Sequence, residues 1–466
     1  MKIILQNLGI IKQAEFELGN LTIICGKNNT GKTYATYTLF GFINFWKLSY
    51  TIPIDESVVD ELFEKSKVVI NLQKYINKRN DYLADASLEY SKSLPIVFAA
   101  KSQNFKDACV KSYLKDPEEI PLTPFKRNYG ASKKQIFSMY KDIDTCELEV
   151  TLLIQDGLDE INRHAVRRAI GDAIQDILFG HLFPDVFIAS AERTGAAIFR
   201  KELNFARNRL LEEVSSMQDE INPFKLINSA YSDYALPVRR NVDFTRKLEE
   251  ISKHDSILNE KHPEILERFT DLIGGSYKVT NNDELYYIPK ANKRLRLTMA
   301  ESSSAIRSLL DIGFYLKHEA KPGDLLMIDE PELNLHPENQ RRIARLLAQL
   351  VNIGIKVFIT THSDYIIKEL NTLIMLNQES EAINKIRESE HYLKSETISP
   401  SEIIVYIADK QAVKLDGNKR KVNINTLIKA DIDQEFGIEA LSFDKTIDDM
   451  NRIQEALYFA SEEGIE

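Results

Sequence analysis

The 466-residue sequence is poor in cysteine, with only Cys25, Cys109 and Cys146. They are odd in number, widely spaced and include no CxxC pair, which fits reduced thiols and argues against a disulfide framework or a zinc site. Long apolar runs are also scarce. The apolar start ends at Gln6, too soon for a signal peptide. The stretch from Tyr34 to Ile52 carries polar residues and fits a buried helix better than a membrane span.

An excess of basic residues is lacking as well. The chain has 60 Lys and Arg against 70 Asp and Glu, for a net charge of -10. This balance argues against a protein that coats itself in nucleic acid, although a local basic groove stays open. Hydrophobic content of 43% and charged content of 28% are typical of a globular protein. We expect a cytoplasmic protein with no membrane association.

A complete phosphate loop, G-x-x-x-x-G-K-T, lies near the start of the chain. It follows the apolar stretch Leu21–Cys25 and precedes a stretch that can continue as a helix, the context in which this motif binds nucleotide phosphates. Successive N–H groups at a helix N-terminus suit an anion such as ATP. Lys32 is expected to reach the β- and γ-phosphates, and Thr33 to ligate Mg²⁺. The predicted nucleotide-binding residues of this loop are Gly26, Lys27, Asn28, Asn29, Thr30, Gly31, Lys32 and Thr33.

A second half-site follows about 290 residues later. Leu325 to Glu330 is an apolar strand that ends in two acids, and Ile355 to Thr360 is another buried strand, separated from it by a helix that begins at Pro337. Opposite a phosphate loop, Asp329 is expected to hold Mg²⁺. Glu330 is expected to act as general base toward the attacking water.

The rest of the chain divides by composition into further segments. Residues 51–180 are rich in Lys and Glu, are broken by prolines and show helical patches, so we predict an inserted, mainly helical lobe. The other predicted divisions are 1–50 (first half of the head), 181–300 (sensing strand, helical subdomain and hairpin), 301–400 (second half of the head) and 401–466 (strands and a helix).

Several local elements are also predicted from hydrophobic periodicity and from Pro and Gly residues that mark the ends of helices and strands. Strands are expected at 2–5, 14–18 and 185–190, with paired strands between 277 and 297. Helices are expected at 201–221 and at 263–273, where Gly274 follows as a stop signal. The tail is predicted to hold two short strands, 403–408 and 412–415, and a final helix.

The residues from Asp329 to Gln340 carry a family resemblance. They read D-E-P-E-L-N-L-H-P-E-N-Q, which resembles the D-E-P-E-x-x-L-H-P-x-x-Q block of prokaryotic ABC-class ATPases, the class of RecF-like, OLD-like and SMC-like proteins. The stretches N-L-G-I-I from Asn7 and L-T-I-I-C-G-K-N-N-T-G-K-T from Leu21 resemble the start of the same proteins. Thr360-Thr361-His362-Ser363 resembles their T-T-H-S switch, which implies that His362 senses the γ-phosphate and belongs to the catalytic site.

The resemblance also implies a signature segment, S-S-G-x-x-S, that contacts ATP bound to the opposite protomer. Here it reads S-S-A-I-R-S, so Ser303 and Ser304 are predicted nucleotide contacts, and Ala305 stands where Gly is usual. The added methyl group is expected to slow closure or hydrolysis. The alternative interpretation of the Ser-rich run is a helix N-cap or a solvated loop. Arg193 follows a strand at the place of the family's nucleotide-sensing loop. It is expected to contact phosphate or the partner protomer, or to pair with Glu192 or another acid.

Other chemistries have weaker support. No N-K-x-D motif supports a GTPase. Asp431 and Asp433 could belong to a TOPRIM-type nuclease, but no partner strand ending in Glu is recognisable, and an acidic helix or loop is the better interpretation. The cluster Lys293, Arg294 and Arg296 is either a nucleic-acid contact or a solvated hairpin rim.

The predicted fold class is α/β, an ABC-type ATPase head with a P-loop core sheet flanked by helices and an inserted lobe. By size and motif set, the chain most resembles the ATPase subunits of prokaryotic anti-phage defence systems of the Septu type. The resemblance implies ATP and Mg²⁺ as cofactors and a homo-oligomer, either a dimer or multiples of dimers. It also implies a separate nuclease effector, of HNH type in Septu-like systems. Two alternatives stay open, a RecF-like repair ATPase that clamps duplex DNA and the ATPase subunit of a PARIS-type system, so nucleic acid is kept as a candidate ligand.

Overall fold

The computed structural model describes residues 1–114, 123–131, 134–154, 161–200, 234–280, 284–414, 420–438 and 450–458. The chain divides into two compact units. We call one the lobe, comprising Met1–Ile3, Phe42–Lys92 and Val110–Pro184, and the other the head, comprising Ile4–Gly41, Ser93–Cys109 and Asp185–Glu466.

The strands of the described residues are numbered along the chain. They are β1 (Lys2–Leu8), β2 (Ile11–Glu17), β3 (Leu21–Cys25), β4 (Lys67–Asn71), β5 (Cys109–Tyr113), β6 (Phe125–Ala131), β7 (Lys134–Lys141), β8 (Glu147–Leu152), β9 (Val186–Ala189), β10 (Gly275–Val279), β11 (Leu285–Pro289), β12 (Leu297–Thr298), β13 (Leu325–Asp329), β14 (Lys356–Thr361), β15 (Ile403–Lys414), β16 (Lys421–Lys429), β17 (Ile432–Asp433) and β18 (Gly437–Ile438).

The helices are numbered in the same way. They are α1 (Lys32–Leu48), α2 (Glu56–Lys65), α3 (Gln73–Asn77), α4 (Arg79–Val97), α5 (Arg163–Phe179), α6 (Arg193–Ile198), α7 (Leu236–Arg246), α8 (Leu248–Ile251), α9 (Ile257–Lys261), α10 (Pro263–Ile273), α11 (Ser304–Ser308), α12 (Leu310–His318), α13 (Pro337–Asn352), α14 (Asp364–Met375), α15 (Glu381–Ser389) and α16 (450–458). None of the helices described is long and apolar enough to cross a membrane.

A six-stranded sheet forms the centre of the head, in the order β16-β15-β3-β14-β13-β9. Five of its strands are parallel, and β16 is antiparallel to β15. Every residue of β3 and β13 is buried, as expected for central parallel strands covered on both faces. The fold class predicted from the sequence, an α/β ATPase head built on a P-loop sheet, is confirmed by this architecture.

Helices cover one face of the sheet, and β2 contacts the other. The main apolar core joins β3, β13 and β14 to helices α10, α12, α13 and α14, with Phe269, Phe314 and Leu347 among its members. On the opposite face, the Phe16 ring of β2 lies 6.4 Å from that of Phe358. Because five strands of the sheet are parallel, their carboxyl ends lie at the same edge. The site described below is located at that edge.

The predicted bounds of one helix and the predicted start of another agree with the structure. Helix α10 runs from Pro263 to Ile273, and Gly274 follows it with a left-handed φ of 68°. Helix α13 begins with Pro337 at its first turn, preceded by His336 as N-cap. Its buried positions Ile343, Leu346, Leu347 and Leu350 lie on one face of the helix.

The lobe contains a sheet that the sequence analysis did not anticipate. Strands β4, β8, β7 and β6 form an antiparallel sheet in that order, beside helices α2, α3 and α5. A mainly helical lobe is therefore an incomplete description. Within the lobe, the indole ring of Trp46 stacks on Phe183 at 4.4 Å between ring centroids.

The tail prediction needs one correction. Two short strands are expected from the sequence at 403–408 and 412–415, but residues 403–414 form one strand, β15, because β16 pairs along nine of its residues. Residue 415 lies outside the described residues. The residues 450–458 are helical, in agreement with the predicted final helix. The predicted helix 201–221 lies outside the described residues.

Candidate nucleotide-binding site

The phosphate loop connects β3 to α1, and two of its glycines have no room for a side chain. Gly26 has a φ of +136° and Gly31 a φ of +105°. A Cβ atom on Gly26 would lie 2.6 Å from the carbonyl oxygen of Ala408, and one on Gly31 would lie 2.5 Å from Cγ1 of Ile11. Between them, Lys27, Asn28 and Asn29 are exposed and Thr30 is half-buried. Both glycines are thus required by conformation and by space, as a loop that wraps phosphates requires.

Lys32 lies inside this loop. Its side chain is buried, and its Nζ donates to the carbonyl oxygens of Gly26 and Lys27, each at 2.8 Å. Burial lowers the pKa of Lys32, while the nearby charges of Glu330, Asp329 and Glu332 act in the opposite direction. The next residue, Thr33, is exposed. A positive charge and a hydroxyl group are thus presented at the start of α1.

The sheet register brings the second half-site to the same edge. Asp329 of β13 is level with Thr360 of β14, and Thr361 is level with Cys25, the last residue before the loop. Asp329 is buried and accepts a hydrogen bond from the Thr360 hydroxyl. Burial raises the pKa of Asp329 to about 6, although the Thr360 bond opposes that shift. The two halves, about 290 residues apart in sequence, therefore meet as predicted.

Glu330 begins the turn after β13 in an unusual conformation. Its φ is +55°, a left-handed value that is costly for a residue with a side chain. Its N–H donates to the Thr360 carbonyl at 3.1 Å, and its side chain is 28% exposed. The Nδ1 atom of His362 lies 3.5 Å from Oε1 of Glu330. The two residues predicted to be catalytic are therefore neighbours at the open edge of the site.

Glu332 is a site residue to which the sequence analysis assigned no role. Its Oε1 accepts from the Thr361 hydroxyl at 2.9 Å and from the His362 N–H at 2.8 Å, and it lies 3.5 Å from His362 Nδ1. Its Oε2 is buried without a hydrogen-bond partner among the described residues. The sequence feature that could have pointed to Glu332 is its position in the D-E-P-E block. In the structure, this carboxylate holds the loop that carries His362.

The same loop is held on its other side by two polar side chains. Ser363 caps α14, and its hydroxyl donates to Oε1 of Gln340 at 2.5 Å. The amide nitrogen of Gln340 donates to the Leu335 carbonyl at 2.9 Å. Gln340, the last residue of the motif block, therefore connects the turn after β13 to the loop after β14.

Arg193 lies next to the site, and its side chain is buried. The side chain is 1% exposed, and the guanidinium donates to four main-chain carbonyls, those of Ser190, Ser308, Asp329 and Glu330, at 2.7–2.8 Å. The neighbouring carboxylate, Glu192, instead accepts a bond from the Tyr37 hydroxyl at 3.0 Å. Among the bonds described, the guanidinium makes none to Glu192 or to another carboxylate. Contact of Arg193 with phosphate or with the partner protomer stays a prediction.

The signature serines lie at the start of α11. Ser303 is exposed and is the N-cap of this helix, where its hydroxyl accepts from the Ile306 N–H at 3.4 Å. Ser304 is half-buried. The capping role that the sequence analysis left open is present. Contact of Ser303 and Ser304 with the nucleotide of another protomer stays a prediction.

The remaining candidates occupy ordinary surface positions. Lys293, Arg294 and Arg296 are exposed in the segment between β11 and β12. Asp433 accepts from the N–H groups of Glu435 and Phe436 at 2.6 and 3.2 Å, as an acid does in a tight turn. Asp433 therefore has a local structural explanation.

The donors at the site fit Mg²⁺. Thr33 supplies an exposed hydroxyl, and Asp329 supplies a carboxylate at the end of β13. Hard oxygen donors of this kind, completed by phosphate oxygens and water, are what Mg²⁺ binds in nucleotide sites.

The comparison with protein families agrees with this geometry. Residues 1–367 match the family described as the AAA ATPase domain. This match covers well over half of the chain, so the protein belongs to this family of ATPases. No curated protein matches the sequence.

Among solved structures, the chain is similar to three SMC heads. One is an Smc head bound to the C-winged helix domain of ScpA, with 13% identity, 91% of this chain and 97% of that chain covered, and a TM-score of 0.32. The SMC head domain from Thermotoga maritima has 10% identity, coverages of 91% and 97%, and a TM-score of 0.29. An Smc head from Pyrococcus furiosus, with an extended coiled coil and bound to the C-terminal domain of ScpA, has 14% identity, coverages of 97% and 98%, and a TM-score of 0.29.

Proposed function

We propose that the protein binds and slowly hydrolyses ATP as a subunit of a prokaryotic anti-phage defence complex. In this complex, it acts as a nucleotide-gated scaffold that regulates a separate nuclease. The observation that carries the ATPase chemistry is the arrangement of Lys32, Asp329, Glu330 and His362 at one edge of a parallel sheet. The defence role rests on the motif resemblance of the sequence to Septu-type ATPase subunits.

The chemistry follows from what each side chain presents. Lys32 leaves its two loop carbonyls and donates to the β- and γ-phosphates. Thr33 and Asp329 hold Mg²⁺, which neutralises charge on the phosphate oxygens when bound. Glu330 accepts a proton from the attacking water. His362, 3.5 Å from that carboxylate, contacts the γ-phosphate and reports its presence through the loop that Glu332 holds.

One protomer supplies only part of this site. Ser303 and Ser304 lie at the exposed start of α11, where they can meet the nucleotide of a second copy, and each copy then offers its phosphate loop in return. This reciprocity favours a closed two-fold dimer or larger assemblies built from such dimers.

Dimer formation is expected to depend on ATP. The Glu330→Gln variant, which should retain ATP, is expected to run at twice the monomer mass or more in size-exclusion chromatography with light scattering at micromolar concentration. The matched control is the same variant with Lys32→Ala added, which should no longer respond to ATP. A strictly monomeric Glu330→Gln protein in the presence of ATP and Mg²⁺ would contradict the proposed sandwich.

The regulatory role predicts a stable complex with the product of the neighbouring gene. After coexpression, we expect the two proteins to copurify and the complex to cleave nucleic acid at a rate that changes at least tenfold on addition of ATP. A complex that carries Lys32→Ala in this chain should assemble but lose the response to ATP. Metal-dependent cleavage by the purified chain alone, abolished by changing Asp431 and Asp433, would instead make this protein the nuclease.

A further inference from the structure

Glu330 presents its carboxylate from a turn in which its own backbone is left-handed. A left-handed backbone is unfavourable for a residue with a side chain, so the conformation persists only where surrounding contacts enforce it. On one side, the Glu330 N–H is fixed by the Thr360 carbonyl at 3.1 Å. On the other side, the Glu330 carbonyl accepts from the Leu333 N–H within the turn at 3.1 Å and also from a side chain outside the turn.

The donor outside the turn is Arg193. Its Nη2 donates to the Glu330 carbonyl at 2.8 Å, and its Nη1 donates to the Asp329 carbonyl at 2.7 Å. Two consecutive carbonyls of the catalytic turn are therefore held by one planar group. The guanidinium is buried, so these bonds compete little with water. A lysine has three N–H groups on one nitrogen and cannot bond all four of the carbonyls that the three nitrogens of Arg193 contact.

The same guanidinium also reaches the helix that begins with the signature serines. Its Nε donates to the carbonyl of Ser308, the last residue of α11, at 2.7 Å. The Ser308 hydroxyl in turn donates to the Leu333 carbonyl at 3.0 Å, in the turn that starts with Glu330. The far end of α11 is therefore bonded to the catalytic turn by two routes. The start of α11 is the place where a second protomer is proposed to bind.

We propose that Arg193 is a positioning residue that sets the direction of the Glu330 carboxylate and couples it to α11, without contacting ATP. This inference rests on the proposed role of Glu330 as general base. It gives Arg193 a different task from the nucleotide contact expected from its sequence position. Binding of a second copy at Ser303 and Ser304 would shift α11, and Arg193 would transmit that shift to Glu330.

The test separates affinity from turnover in Arg193→Lys and Arg193→Ala. We expect both variants to bind ATP within about threefold of wild type by calorimetry. Their single-turnover hydrolysis rates should fall at least tenfold, more for alanine than for lysine. Millimolar guanidinium chloride should restore part of the rate of Arg193→Ala, with sodium chloride at equal concentration as control, because a free guanidinium ion fits the space that the side chain leaves.

A double-mutant cycle shows whether Arg193 acts through Glu330. In the Glu330→Gln background, Arg193→Lys should lower the residual rate by less than twofold, because the base that Arg193 orients is already absent. A multiplicative loss in the double variant would contradict the inference. So would a tenfold loss of ATP affinity with an unchanged rate at saturating ATP, which would place Arg193 on the nucleotide.

The remaining outcomes also decide the question. If Arg193→Ala does not fold, Arg193→Lys, which keeps the charge and most of the volume, provides the comparison. Failure of both variants to fold would overturn the positioning role in favour of a structural one. A wild-type rate in Glu330→Gln would show that the proposed base is wrong. A wild-type rate in Arg193→Lys, with Glu330→Gln inactive, would refute this inference alone.

Discussion

Replacing Glu330 with glutamine is expected to leave ATP binding near its wild-type strength and to lower the hydrolysis rate by about 10²–10⁴-fold. The amide keeps the shape of the side chain and its place 3.5 Å from His362, but it cannot take a proton from water. Lys32 and Asp329, the proposed contacts to phosphate and Mg²⁺, are unchanged. Calorimetry with ATP and single-turnover phosphate release measure the two quantities separately.

Glu338→Gln is the matched control for this experiment. Glu338 is an exposed acid at the first turn of α13, where it pairs with Arg341 and Arg342. The same change of charge there should leave the rate within about twofold of wild type. Wild-type turnover in Glu330→Gln would show that the base lies elsewhere. If wild-type turnover is itself close to background, Ala305→Gly should raise it, because the usual signature residue is then restored.

The central sheet was predictable because its strands are buried on both faces. Leu21–Cys25 and Leu325–Asp329 are apolar almost throughout, and such runs indicate parallel strands directly. The phosphate loop and the two acids follow those runs immediately, so predicting the strands also placed Lys32 and Glu330 at one edge. Pro263 and Gly274 likewise predicted the two ends of α10 correctly.

The strands missed by the sequence analysis are those with a solvent-facing side. In β4, Lys67 and Asn71 alternate with buried residues, so a five-residue strand resembles a charged loop or part of a helix. Strand β16 has the same difficulty, because its first three residues are exposed. Short half-exposed strands are identified by their pairing partners, and no single-sequence pattern names those partners.

The roles of Arg193 and Glu332 could not be predicted for a related reason. Both side chains act on main-chain groups, and a carbonyl or N–H carries no residue-specific signal. Arg193 bonds to Ser308, a residue 115 positions away in the sequence. Glu332 fixes the N–H of His362, 30 positions away. Glu332 stands in the motif block without an assigned role, and only the folded chain shows what it holds.

Removal of Lys32 is expected to have the largest effect on nucleotide binding. Its ammonium group is the charged donor seated in the loop, bonded at 2.8 Å to each of two loop carbonyls. Hydrogen bonds to charged groups contribute about 1.5–3 kcal/mol each. Loss of two such bonds to phosphate in Lys32→Ala should therefore weaken ATP binding by roughly 10²-fold or more. Isothermal calorimetry with ATP and Mg²⁺ measures this loss.

Two further variants, Lys12→Ala and Lys32→Met, serve as controls for the loss of ATP affinity in Lys32→Ala. Lys12 is exposed on β2, so its removal changes the net charge equally and should alter the affinity by less than about twofold. Lys32→Met keeps most of the buried stem and should show the same loss of affinity as Lys32→Ala with a smaller change in melting temperature. Because the stem packs in a buried position, this pair separates loss of the charge from loss of packing. Wild-type ATP affinity in either Lys32 variant would mean that the loop between Gly26 and Thr33 is not where the nucleotide binds.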